Sequence, residues 1–198
     1  MPLEIAFGVG PLPRPASTYE SDPLIGDRLA ICVRGISVGE RVQVRIDAPD
    51  EDPPLMSDEA RYEPGQIQVE TDILPEYGTG TWTITASAPS GTATLDIPVG
   101  VATTPGYRVI QETDSTAALL AVGLAPNQPF SIHFYESTPG ELVADYVSTL
   151  EARAGGDGTR LVKFSRAGGS EHCNIAKVTV EERMLADGHN TLSTLCPP

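Results

Sequence analysis

Basic residues are scarce in this 198-residue chain: 13 Lys and Arg face 27 Asp and Glu, for a formal net charge of −14. Lys163 and Lys177 are the two lysines. With no basic stripe to displace the counterions of a polyanion, neither a nucleic acid nor an anionic membrane surface is an expected partner. No apolar run approaches the roughly 18 residues of a membrane span, so direct membrane insertion of this segment is not expected. The opening Met1-Pro2-Leu3-Glu4 lacks a basic n-region and an apolar h-region, and no signal peptide is expected there. Cysteine is limited to three positions, which neither proves nor excludes an oxidising compartment.

Catalytic motifs are missing too. There is no Gly-x-Ser-x-Gly elbow and no His-Glu-x-x-His pair. The three histidines, His133, His172 and His189, are scattered. His133 is out of phase with Phe130, Ile132 and Phe134, which places it on the wet face of a strand. No set of acid, base and nucleophile can be assembled. The chain is expected to be no enzyme and to carry no cofactor.

What the sequence does contain is alternation. Val42, Val44 and Ile46 alternate with Gln43 and Arg45, and Trp82, Ile84 and Ala86 alternate with Thr81, Thr83 and Thr85. Ala93, Leu95, Ile97 and Val99 continue the pattern after the turn-forming Ala88-Pro89-Ser90-Gly91. Such period-2 runs are strands with one buried and one wet face. Trp82 is in phase with the core, and Pro98 suits only an edge position or a strand end.

The pattern recurs. At an offset of 88, Gly35-Ile36 falls on Gly123-Leu124, and Val42, Val44 and Ile46 fall on Phe130, Ile132 and Phe134. Leu29-Ala30-Ile31 falls on Ala117-Ala118-Leu119, so the helix-favouring run at 115–125 is expected to be a strand, as is 146–150. Val162 and Phe164, then Ala176, Val178 and Val180, repeat the alternation around the turn Ala167-Gly168-Gly169-Ser170. A repeat near 90 residues made of short strands predicts two β-sandwiches in tandem, at 1–100 and 105–185, joined across 100–106. Residues 186–198 lose the alternation and are expected to be a C-terminal tail or linker. The closing Cys196-Pro197-Pro198 is expected to be a cut point in a longer chain.

These residues carry a resemblance. Gly26-Asp27-Arg28, followed by Gly35-Ile36-Ser37-Val38-Gly39-Glu40 and an alternating strand, resembles the bacterial immunoglobulin-like modules of surface and secreted proteins. Val38 stands where those modules have Pro. Gly123-Leu124-Ala125-Pro126-Asn127-Gln128 keeps the Pro and replaces the Gly-Glu. Gly80-Thr81-Trp82-Thr83-Ile84-Thr85-Ala86 is similar to the penultimate strand of the family, and Gly156-Asp157-Gly158-Thr159 to the turn before it in the second copy. The resemblance implies an all-β fold of two tandem immunoglobulin-like β-sandwich domains. It also implies an extracytoplasmic spacer or interaction segment of a larger bacterial protein, here without its signal peptide. It transfers no catalytic residue. A protein or a glycan is the partner class it suggests. Other readings are a ligand-binding module for a glycan or calcium, and an accessory domain of a polysaccharide-acting enzyme.

Three groups of residues bear on those readings. Asp47, Asp50 and Asp52 begin an acidic stretch over 47–63 and are the calcium candidates, although no Asp-x-Asp-x-Asp-Gly frame orders them. Cys173 and Cys196 are candidates for a disulfide that would pin the tail to the second sandwich, with Cys32 left as a small buried thiol. Glu171-His172-Cys173, with His189 or Cys196, matches no zinc frame. A glycan needs two or three tyrosines on one exposed face. Among Tyr19, Tyr62, Tyr77, Tyr107, Tyr135 and Tyr146, exposure is expected first at Tyr62 and Tyr77.

Overall fold

The computed structural model describes residues 2–9, 22–60, 67–111, 116–137, 144–165, 173–187 and 193–195. The chain divides into two compact units, Met1–Val101 and Ala102–Pro198. Each is built from two sheets.

In the first unit, β1 (Glu4–Val9), β2 (Arg28–Arg34) and β5 (Ile67–Asp72) form one antiparallel sheet in the order β1-β2-β5. The facing sheet has the order β4-β3-β6-β7, from β3 (Arg41–Asp47), β4 (Leu55–Ala60), β6 (Gly80–Ala88) and β7 (Gly91–Val99). Alternation decides which side chains are buried. Leu29, Ile31 and Val33 on β2, Val42, Val44 and Ile46 on β3, and Trp82, Ile84 and Ala86 on β6 are all buried. The two-residue turn Pro89-Ser90 joins β6 to β7, with Ala88 opposite Gly91. Pro98 lies on β7, the edge strand, where its missing N–H interrupts no ladder on the outer side. Cys32 is buried and free.

The second unit repeats this order. β8 (Gly106–Gln111), β9 (Thr116–Val122) and β12 (Arg160–Ser165) make the sheet β12-β9-β8, to which β15 (Ala186–Asp187) adds a short parallel pair beside β8. The facing sheet runs β11-β10-β13-β14, from β10 (Pro129–Ser137), β11 (Asp145–Arg153), β13 (Cys173–Val180) and β14 (Arg183–Met184). β16 (Ser193–Leu195) also pairs with β13. The core between the sheets holds Tyr107, Leu119, Leu124, Phe130, Ile132 and Val178. The alanine- and leucine-rich run at 117–121 is entirely buried as part of central strand β9, where pairing on both sides and facing side chains outweigh its helix propensity.

Within the stretch 186–198, expected to be a C-terminal tail or linker, Ala186–Asp187 and Ser193–Leu195 are strands, β15 and β16, that pair with the two sheets of the second unit. Strands of two and three residues are too short to display an alternation, so nothing in the local pattern marks them.

Candidate functional site

The richest arrangement of polar and aromatic side chains among the described residues lies on the outer face of β11-β10-β13. Phe130 and Ile132 of β10 are buried inward, which turns Ser131, His133 and Tyr135 outward. On β11, Glu151 stands opposite Ser131, and Thr149 opposite His133. On β13, Thr179 stands opposite Ser131, and Lys177 opposite His133.

A β-bulge completes the face. Phe134 pairs with Ser148 but Tyr135 pairs with Tyr146, so Val147 is the extra residue of β11. Strict alternation back from Thr149 would point Tyr146 inward. The bulge reverses it and sets Tyr146 beside Tyr135, ring centroids 5.9 Å apart and planes at 75°. This edge-to-face pair is the favoured aromatic geometry. The Lys177 ammonium sits 4.8 Å from the centre of the Tyr135 ring, a cation–π contact. Tyr146 is 59% exposed.

A run of hydrogen bonds crosses the same face. The Tyr146 hydroxyl and Thr149 Oγ1 are 2.9 Å apart, and Thr149 Oγ1 lies 2.8 Å from His133 Nδ1. His133 Nε2 is 2.9 Å from Thr179 Oγ1. Ser131 Oγ donates to Glu151 Oε2 at 2.9 Å. Both imidazole nitrogens are thus held by threonine hydroxyls, which keeps the ring upright between two strands. The face offers one exposed tyrosine ring, a second ring under a cation, and several hydroxyls. That chemistry suits stacking and hydrogen bonding to a polar partner.

Beside it, at the β11 edge, an open recess of about 180 Å³ is lined by Phe134, Tyr135, Glu136, Val147, Ser148, Phe164 and Ser165. Phe134 and Phe164 meet across it at 4.9 Å between centroids.

The acidic stretch has a different character. Arg45 Nε donates to both carboxylate oxygens of Asp47 at 2.9 Å. These bonds hold the Asp47 carboxyl below its usual range. The Asp50 amide donates to the Tyr77 carbonyl at 3.1 Å, and its carboxylate lies against Gly78. Asp52 is exposed in the following turn. Among the described residues no three His, Cys, Asp or Glu side chains converge as a metal site would require.

Tyr77 departs from expectation. It ends a short 3-10 turn, Pro75–Tyr77, that folds its ring edge-on against buried Trp82, centroids 6.0 Å apart. Burial pushes its phenol up, with Glu51, Glu76 and Asp72 adding to the shift. Tyr107 is buried and donates its hydroxyl to the Ala176 carbonyl at 3.1 Å. Tyr19, Tyr62, Glu171, His172, His189 and Cys196 lie outside the described residues, and Cys173 is the first residue of β13. The sequence reading named Tyr135 and Tyr146 but had no signal for their pairing, because a bulge is invisible to a pattern of period 2.

No protein-family model matches the chain, and no curated protein matches its sequence. Among solved structures it is similar to the FN1-FN3 domains of chicken CNTN1, at 12% identity and a TM-score of 0.29, over 80% of this chain and 56% of that one. It is similar to a DUF4785 family protein of Legionella pneumophila at 9% identity and a TM-score of 0.34, over 86% of this chain and 51% of that one. A segment of two fibronectin type-III domains from chicken tenascin aligns at 12% identity and a TM-score of 0.31, over 89% of this chain and 95% of that one. The chain spans about half the length of the first two.

Proposed function

We propose that the chain is a non-catalytic spacer or interaction segment from the extracytoplasmic part of a larger bacterial protein. The observation that carries this reading is the division into two units, each with its own two sheets. Large apolar side chains are mostly committed to the interiors of those sheets. With the interior of each sandwich filled, the outer faces and end loops are the surfaces left for contacts. No helix among the described residues is long and apolar enough to cross a membrane.

A second reading, glycan binding, is favoured by one observation: Tyr135 and Tyr146 share an exposed face with Lys177 and a line of hydroxyls. An exposed ring stacks on the apolar face of a pyranose, and the hydroxyls exchange hydrogen bonds with those of the sugar.

One experiment separates the two. The melting temperature of the protein is measured against a panel of bacterial and plant oligosaccharides and against calcium, because a ligand of the folded state raises it. A spacer shows no shift with any of them. A shift with an oligosaccharide that disappears in Tyr146→Ala transfers the function to the tyrosine face. A shift with calcium alone, lost in Asp50→Ala with Asp52→Ala, transfers it to the acidic stretch.

A further inference from the structure

Exposed apolar side chains gather on one edge of each unit. Of the seven large ones exposed among the described residues, Tyr146, Val147 and Leu150 lie on β11 and Met56 on β4. The two strands hold the same place in their units, each at the end of its sheet, in the orders β11-β10-β13-β14 and β4-β3-β6-β7. A recess opens beside each. The one at β11 includes Phe134; the one at β4, of about 360 Å³, includes Ile46, which falls on Phe134 at the repeat offset. In the second unit the seam lies between two edge strands, β11 and β12. Leu150 pairs with the buried Ile132 and so points to the inner side of its sheet, yet it is 41% exposed.

β11 is also a strand with one side unused. Among the described residues it pairs with β10 alone. An edge strand carries unpaired N–H and C=O groups, and proteins commonly blunt such an edge with proline or lysine. The edge strand β7 has Pro98; β11 has neither residue. Its bulge is confined to one end, at Val147, and Ser148–Arg153 run in regular register. Negative charge prevails here. Glu136 alone is charged among the described residues that line the recess. On β11, Asp145 and Glu151 face one cation, Arg153, whose guanidinium donates to the Asn127 carbonyl at 3.3 Å. Tyr146 is an exposed ring beside one that already holds a cation.

We propose that β11 takes an extended segment of another protein as an added strand, one in which apolar residues alternate with Lys or Arg. This deepens the interaction reading above and rests on it. Backbone hydrogen bonds to the free side of Ser148–Arg153 supply affinity, and alternate side chains supply selectivity. Side chains of such a strand fall in turn on the two faces of the enlarged sheet. The apolar ones meet Ser148 and Leu150 on the inner face, and one enters the recess against Phe134 and Phe164. The basic ones take the outer face, where one lies on Tyr146 as Lys177 lies on Tyr135, and another faces Glu151. Charge selects this occupant over a second copy of the chain, which would bring the same carboxylates to the edge and the same net charge of −14.

The probe is a peptide, Thr-Lys-Ile-Arg-Val-Lys-Thr, with a fluorophore on its N-terminus and an amide at its C-terminus. The full chain is titrated into it and the anisotropy is followed; saturable binding is expected. A peptide of the same composition without the alternation, Lys-Lys-Arg-Ile-Val-Thr-Thr, should bind about tenfold more weakly or worse, as should one with Glu at each basic position. Leu150→Lys and Val147→Lys, both at exposed positions, should each weaken binding about tenfold, and Met184→Lys, exposed on β14 of the same sheet, should not. Circular dichroism melting confirms that each variant is folded. Alternate amides of 148–153 should exchange more slowly in the complex, the mark of backbone pairing. No binding of the alternating peptide, equal binding of the two orders, an equal loss in Met184→Lys, or unchanged exchange along β11 would each overturn the proposal. So would a free chain that sediments as a dimer and reverts to monomer in Leu150→Lys, since a second copy would then hold the edge. These outcomes leave the spacer reading standing, because that reading is judged by the oligosaccharide and calcium melts.

Discussion

Gly35 and Gly123 hold the same place in the two units, one repeat length apart. Each directly follows the second strand of its unit and has a positive φ, +81° and +67°. A Cβ on Gly35 would collide with the carbonyl oxygen of Pro2, and one on Gly123 with that of Thr104. Both carbonyls belong to the residue two positions before the first strand, β1 or β8. The entering chain packs on a glycine because only a hydrogen leaves room for it.

Alanine at either glycine is therefore expected to destabilise its own unit. The left-handed backbone alone costs about 1–3 kcal/mol for a residue with a Cβ, and the carbonyl clash adds to it. Gly39→Ala is the control, since φ is +88° there but nothing lies within 4 Å of the added carbon. Urea midpoints should fall further for Gly35→Ala than for Gly39→Ala; equal losses would show that the close approach to Pro2 carries no energy.

Trp82 is the sole tryptophan, fully buried in the first unit, and its indole N–H donates to the Gly78 carbonyl at 3.1 Å. Its fluorescence should report unfolding of the first unit alone. Trp82→Phe is expected to lower the stability of that unit by about 2 kcal/mol, from the lost bond and the vacated volume. Gly123→Ala should leave the wild-type fluorescence transition in place while shifting part of the circular dichroism transition. A fluorescence midpoint that moves with Gly123→Ala would show that the units unfold as one.

Tyr107 on β8 and Ala176 on β13 tie the two sheets of the second unit together through one buried hydrogen bond. Tyr107→Phe keeps the ring and removes the bond. The expected loss is about 1 kcal/mol, seen in the second transition by circular dichroism. An unchanged transition would show that the hydroxyl adds nothing beyond its packing.

Alkaline pH should weaken the first unit through Tyr77. Its folded phenol ionises above the ordinary value of 10.0, chiefly because it is half-buried. As pH rises, the unfolded chain loses that proton first. The contribution is fully present below about pH 10 and is lost as pH climbs through the folded value. Tyr77→Phe should flatten this part of the profile. Parallel alkaline slopes for the two proteins, read from fluorescence midpoints, would refute the assignment.

The repeat, the alternating strands β3, β6, β7, β10 and β13, the buried Trp82 and the outward His133 were legible in the sequence. Each follows from an alternation of five or more residues that burial on one face imposes. Tyr77 was misjudged because turn residues advertise exposure, whereas this turn folds its ring back onto Trp82, a residue close in chain but on another element. β14, β15 and β16 left no trace because their partners, β13 and β8, select them by backbone pairing rather than by side-chain pattern.

Local order along the chain determined what it is made of: strands, their buried faces, and a unit used twice. A strand with one dry face needs only its own alternating residues to declare itself. Which tyrosines meet was decided elsewhere. Tyr135 and Tyr146 share a face because one extra residue, Val147, inverts the phase of β11 against β10. Such a register shift is a property of two strands together, and it exists only once they are paired.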